Sequence, residues 1–347
     1  MPFDDPPRAL TRVTDRRNSV STMGVGRIWP GAVVGAILSV AALGLMPTPV
    51  LASDTAAPEG ASCEGPADRS PGTSTGTLVH GGRARSYELH VPVGYDATTS
   101  TPLLVSLHGQ GSYGLQQILY SDVRALADRE GFLVVAPDVA YPDTDQWHTG
   151  AALGDIPADT TVDDLRFVGR LLNRLEANLC VDSDRVFATG ISSGAFMASA
   201  LACRMPNRIA AVATVAGSLF FDDPAVCRSS RAVPVLAFHG SADRNVPFPA
   251  QTFQRSGPRD SVVNHLRRWA LGRNGCTEST TVATLAPDVS LRQWTCPPSG
   301  ATKLVRIQGG GHTWPGSPFE VPSLGPTTQN VSATDMAWRF FTRHPRA

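Results

Sequence analysis

The chain has 347 residues, 42% of them hydrophobic and 17% charged, with 30 basic and 30 acidic side chains. That length and apolar fraction suffice for a large buried core, and one α/β domain would use nearly all of it. A formal net charge of zero offers no electrostatic footprint for nucleic acid or for an anionic membrane surface.

Residues 1–29 are polar and include Arg8, Arg12, Arg16, Arg17 and Arg27. Pro30 to Leu45 is apolar and uncharged, helix breakers follow at Pro47 and Pro49, and Val50-Leu51-Ala52 comes next. Basic flank, short apolar run and small residues before the break predict a secretory signal peptide over 1–52, cleaved after Ala52, and therefore a secreted, extracellular protein. A start at Met23 would give a signal of ordinary length. A membrane anchor is the alternative, but the run is short for a span of roughly 20 residues, so no stable span is expected after cleavage. Cys63 lies too far past the apolar run to be a lipoprotein anchor. Residues 53–72, rich in Ala, Pro, Gly and Ser, read as a flexible lead-in, and residues 73–345 as the folded domain.

The pattern changes from Gly76. Thr77 to His80 and Arg85 to Pro92 read as two strands about a Gly81-Gly82 turn. Pro102 to His108 (PLLVSLH) and Phe132 to Pro137 (FLVVAP) read as buried strands, with a helix over Val123–Arg129 between them. Val162 to Leu179 has apolar residues at 165, 168, 171, 172 and 175, a helical period. Val186 to Gly190 is a strand, Ser193 to Ala200 a small-residue helix, and Ile209 to Val215 another strand. Pro234 to Phe238 and Lys303 to Ile307 are the last two strands, and Thr334 to Arg343 closes the chain as a helix. Apolar strands alternating with helices predict an α/β fold with a mostly parallel central sheet, covered by helices on both faces.

The sequence Gly190-Ile191-Ser192-Ser193-Gly194 lies between a strand and a helix. This is the context in which G-x-S-x-G forms a nucleophile elbow. Of the two serines, only Ser192 has glycine two residues before and two after. The turn would lift its hydroxyl clear of the sheet and leave the Ser193 N–H at a helix N-terminus, aimed at an attacked carbonyl.

A serine hydroxyl needs a base, and the base needs a carboxylate to hold its tautomer. In α/β-hydrolases these follow in the order Ser, acid, His, on loops at strand ends. After Pro234–Phe238 comes His239-Gly240-Ser241-Ala242-Asp243. After Lys303–Ile307 comes Gln308-Gly309-Gly310-Gly311-His312. Asp243 is thus the expected acid, with Asp222 and Asp223 as competitors, and His312 the expected base. The loop His108-Gly109-Gln110-Gly111 follows the third strand, where Gln110 N–H would be the second oxyanion donor beside Ser193 N–H; His108 is expected to brace that loop.

Taken in order, these motifs resemble one family, the secreted esterases grouped with polyhydroxybutyrate depolymerases and feruloyl esterases. The resemblance runs from about Thr77 to Phe341 and includes SLHGQGS, GISSGAFMA, LAFHGSADRNVPF, GGGHTWPG and ATDMAWRFF. It implies an α/β-hydrolase fold, nucleophile, acid and base at Ser192, Asp243 and His312, an oxyanion position at Gln110, and no metal or cofactor. Relatives often have another residue where Gln110 stands; only its backbone is needed.

None of the six cysteines shows the C-x-x-C spacing of zinc or redox sites. With an export signal they point to three disulfides. Cys276 and Cys296 flank a hairpin or loop and are the best pair from the sequence. Resemblance to fungal feruloyl esterases implies Cys180–Cys203, leaving Cys63–Cys227.

The expected chemistry is hydrolysis of a carboxylic ester, free or polymeric, through an acyl-serine. Feruloyl or acetyl esters of plant cell-wall xylan are the leading substrates, and short-chain polyhydroxyalkanoates the alternative. Trp147 and Trp314 are placed to form an aromatic platform for substrate, unless each packs its own loop. An inactive hydrolase fold used for binding, or as an envelope protein, is the alternative of another class. The intact Ser, Asp, His and glycine loops speak against it.

Overall fold

A computed structural model describes Cys63 and residues 69–140, 146–149, 162–217, 227, 231–249, 251–253, 257–259 and 261–346. The predicted signal peptide and most of the predicted lead-in lie outside these residues. Among the described residues no helix is long and apolar enough to cross a membrane.

Two extended runs about Gly81-Gly82 form the first hairpin, β1 (Gly72–His80) and β2 (Arg83–Val91), paired in antiparallel register from Gly72 opposite Val91 to His80 opposite Arg83. Next come β3 (Thr101–Leu107), α1 (Gly114–Tyr120), α2 (Val123–Glu130) and β4 (Leu133–Pro137). Then follow α3 (Asp164–Asn178), β5 (Val181–Ile191), α4 (Ser193–Arg204), β6 (Val212–Val215) and β7 (Val235–Gly240). A two-stranded ribbon of β8 (Gln251–Phe253) and β9 (Gly257–Arg259) precedes α5 (Val262–Gly272). The antiparallel pair β10 (Thr280–Ala286) and β11 (Val289–Trp294) leads to β12 (Thr302–Ile307) and α6 (Ala333–Phe341).

Ten strands form one sheet in the order β1-β2-β4-β3-β5-β6-β7-β12-β11-β10. The inner strands from β4 to β12 are parallel, and antiparallel pairs close both edges. This is an α/β-hydrolase architecture, with the expected parallel centre. Every residue of β3, β4 and β7 is buried, as a sheet covered on both faces requires. Alternation then sorts the side chains. Leu103, Val105 and Leu107 join one core with Phe167, Leu171, Met197 and Leu266, from α3, α4 and α5. Leu104 points to the other face, among Ile118, Leu126, Trp338 and Phe341 of α1, α2 and α6.

Three disulfides join Cys63 to Cys180, Cys203 to Cys227 and Cys276 to Cys296. Two expected pairings are therefore corrected: Cys180 does not pair with Cys203, nor Cys63 with Cys227. The reason is a mismatch of lengths. Strand β5 has 11 residues, about 36 Å at the extended rise, whereas α4 has 12, about 18 Å at the helical rise. The helix returns only part of the way, so Cys203 stops well short of Cys180. Cys180 is met by the lead-in, where Cys63 N–H donates to Thr98 O at 3.3 Å while Thr101 N–H donates to Cys180 O at 2.7 Å.

Candidate active site

Strand β5 ends at Ile191, and the chain turns through Ser192 into α4. Ser192 has φ 55° and ψ −121°, a region a non-glycine residue occupies only under constraint. Here its N–H donates to Val215 O at 3.0 Å, and its carbonyl accepts from Ala195 and Phe196 N–H at 2.9 and 3.1 Å. The flanking glycines are sterically required. A Cβ on Gly190 would lie 2.5 Å from the Gly194 carbonyl carbon, and one on Gly194 would lie 2.2 Å from Leu107 O. The turn is thus pressed against itself and against the end of β3. Ser193 is the first residue of α4, so its N–H has no carbonyl one turn back within the helix and sits at the positive end of the dipole.

The loop after β3 lies against this turn. A Cβ on Gly109 would lie 3.5 Å from the Ser192 Cβ, so Gly109 and Gln110 run alongside the hydroxyl. His108 is fully buried. It donates from Nδ1–H to Gly109 O at 2.7 Å, and its ring packs on Trp147 with centroids 5.1 Å apart. It braces the loop, as its position predicts.

Asp243 follows β7 and His312 follows β12. These strands are parallel neighbours, so the two loops leave the sheet side by side. They approach so closely that a Cβ on Gly240 would lie 2.3 Å from both Gly310 O and Gly311 O. Ala242 N–H donates to Gly310 O and Gly309 N–H to the Ser241 hydroxyl, each at 2.9 Å. His312 Nδ1–H donates to Asp243 Oδ2 at 2.8 Å, which leaves the Nε2 lone pair as the ring's basic position. Asp243 Oδ1 accepts from Asn245 and Val246 N–H at 2.9 and 2.8 Å. Burial by itself would raise the Asp243 pKa. Hydrogen bonds from His239 and His312, the His312 charge and the Val246 N–H outweigh it and hold the carboxyl well below the ordinary aspartate range.

Ser192, Ser193, Gln110 and His312 all line one cavity of about 730 Å³. Its walls bring in residues the sequence reading did not single out: Gln117 and Tyr120 from α1, Phe196 from α4, and Val321 and Leu324 beyond His312. No Asp, Glu, Lys or Arg is among its described lining residues. Gln117 is 2% exposed, and its Nε2 has no hydrogen-bond partner among the described residues. The apolar spacing of Leu115, Ile118 and Leu119 was the available signal for α1.

Trp147 and Trp314 do not form a platform. Both indoles are buried, at 0% and 1% exposure. Their N–H groups donate internally, from Trp147 to His108 O and from Trp314 to the Thr334 hydroxyl, each at 2.9 Å. Satisfied rings of that size stay in the core. Asp222 and Asp223 lie outside the described residues. No group of three or more His, Cys, Asp or Glu able to hold a metal occurs among the described residues.

The model of the family described as Esterase PHB depolymerase matches residues 85–264, over half of the chain. NocK of Nocardia uniformis subsp. tsuyamanensis, which carries an esterase name, is 32% identical over 288 residues, covering 77% of this chain and 82% of that one. Feruloyl esterase B of Piromyces equi is 27% identical over 228 residues, 64% of this chain and 41% of that longer protein. Among solved structures, the acetyl xylan esterase from Aspergillus awamori superposes with a TM-score of 0.55 at 18% identity, covering 77% of this chain and 99% of that one. That likeness carries the fold. By its family match and an esterase relative 32% identical over four-fifths of that relative's length, the chain belongs to the PHB depolymerase esterase family and is a carboxylic ester hydrolase.

Proposed function

We propose that the chain is a secreted serine esterase, exported by residues 1–52 as a signal peptide, that cleaves feruloyl or acetyl esters of plant cell-wall xylan through an acyl-serine. The observation that carries the proposal is that His312, hydrogen-bonded to Asp243, lines the same cavity as Ser192. In this reading Ser192 Oγ attacks the ester carbonyl carbon and its proton passes to His312 Nε2. The tetrahedral oxyanion faces the Ser193 and Gln110 N–H groups. The His312 proton then goes to the leaving alkoxide, and a water repeats the sequence to release the acid. Asp243 stays ionised throughout and holds the imidazole in its Nδ1–H tautomer.

Several features support this substrate class. The cavity lining mixes the carboxamides of Gln110, Gln117 and Asn245 with Ile191, Phe196 and Leu324, and its described residues carry no fixed charge. That suits an uncharged ester with a hydroxylated alcohol portion and a small apolar acyl arm. The Piromyces equi relative bears the feruloyl esterase name, and the disulfides fit an oxidising compartment.

The test has two parts. A fluorophosphonate should label the wild type at Ser192, with no labelling in Ser192→Ala and strongly reduced labelling in His312→Ala. Release of acid should then be compared on methyl ferulate, acetylated xylan and polyhydroxybutyrate film. Absence of labelling in folded protein would defeat the serine mechanism, and turnover of the film alone would move the substrate to the polyester.

A further inference from the structure

The acid has a second imidazole beside it, which the mechanism above does not use. His239 is on β7, four residues before Asp243, and is 1% exposed. Its Nε2 lies 2.7 Å from Val246 O and 3.4 Å from Asp243 Oδ2. A carbonyl oxygen only accepts, so Nε2 carries a proton. Nδ1 is buried with no hydrogen-bond partner among the described residues, so Nε2–H is the proton the ring offers. That single N–H faces two acceptors, with the short arm on the carbonyl and the long arm on the carboxylate.

We infer that His239 is a positioning residue for the proposed acid, an inference that rests on the reading of Ser192, His312 and Asp243 just given. Residue 246 shows why both arms matter. Its N–H holds Asp243 Oδ1 at 2.8 Å while its carbonyl is held by His239. The imidazole therefore ties the far end of the acid turn back to β7. Its long arm also faces Oδ2 at 3.4 Å, the oxygen that accepts from His312 Nδ1–H at 2.8 Å. A carboxylate sharing Oδ2 between two donors presents less charge to His312 than one with a single donor. His239 thereby tempers the basicity of the Asp243–His312 pair as well as its geometry. Arg306 on β12 is the register partner of His239, and its guanidinium lies over the ring of Phe248, which packs against His239.

The test compares wild type, His239→Gln, His239→Asn and Ser192→Ala, using p-nitrophenyl acetate across pH and thermal melts of each protein. A Gln amide nitrogen can occupy the place of Nε2, whereas an Asn amide is too short to reach Asp243. His239→Asn is expected to lose about ten- to a hundredfold in kcat with little change in KM. The acid limb of its kcat/KM profile should move up by about half a pH unit, because Asp243 then presents more charge to the His312 imidazolium. His239→Gln is expected to recover most of kcat and the wild-type limb. A folded Asn variant with wild-type kcat overturns the inference, and so does lost kcat with an unmoved limb. If Asn does not fold, Gln decides alone, since a folded Gln variant with a displaced limb overturns it. Activity surviving in Ser192→Ala would instead defeat the underlying reading of the site.

Discussion

Asp243 is the residue whose surroundings carry the most consequence. Its folded carboxyl binds a proton less readily than the unfolded one, whose pKa is about 3.9, because donors outweigh burial. It therefore contributes stability that is full above that value and is lost as pH falls from there towards the folded one. Denaturant midpoints measured at stepped pH should fall less steeply below about pH 4 in Asp243→Asn than in wild type. The same variant should lose on the order of 10³- to 10⁴-fold in kcat while folding normally, since an Asn amide favours the wrong tautomer of His312. Gln117 offers a complementary test of the cavity. Its buried Nε2 lacks a partner among the described residues, so Gln117→Leu should raise KM for a hydroxylated ester more than for p-nitrophenyl acetate, if substrate supplies that partner. The polar character of each residue was legible in the sequence. The donors on Asp243 were not, because Asn245 and Val246 act through backbone N–H groups that any residue supplies.

Among the elements, the turn between β5 and α4 is the most constrained. Gly194→Ala would drive a methyl group to 2.2 Å from Leu107 O and 2.6 Å from His108 O, against backbone with little room to relax. A cost of about 2–4 kcal/mol is expected, readable as a lower urea midpoint together with loss of fluorophosphonate labelling. A second constraint reaches the site indirectly. Arg85 on β2 donates to Asp164 Oδ1 at 2.8 Å, and Asp164 Oδ2 accepts from His148 N–H at 2.7 Å. Both side chains of that ion pair are buried. Arg85→Ala should destabilise by about 3–5 kcal/mol, since it leaves a buried carboxylate short of its partner; thermal melts check this. Of the helices, α2, α3, α4 and α6 announced themselves by apolar periodicity or by the glycine-serine turn. The seven residues of α1 are too few for a periodic signal to stand out, although they supply Gln117 and Tyr120 to the cavity.

For the whole molecule, the disulfides are the most direct test of the chain path. Non-reducing peptide mapping should find Cys63 joined to Cys180, across 117 residues, and Cys203 joined to Cys227, across 24. In the chain-entropy model the longer closure contributes about 5 kcal/mol and the shorter about 3.5. The Cys63→Ser/Cys180→Ser double variant should therefore lower the denaturant midpoint more than the Cys203→Ser/Cys227→Ser one. By itself the sequence determined the central strands, the helices α2, α3, α4 and α6, the parallel centre of the sheet, and the order in which Ser192, Asp243 and His312 leave their strands. Those properties follow from periodicity and from the glycines that allow tight turns, both of which act over a few neighbouring residues. Only the tertiary structure decided which cysteines pair, that Trp147 and Trp314 turn into the core, and which residues wall the cavity. Each of these depends on distances through space, and such distances follow from how far a strand and a helix of similar residue count travel before the chain turns back.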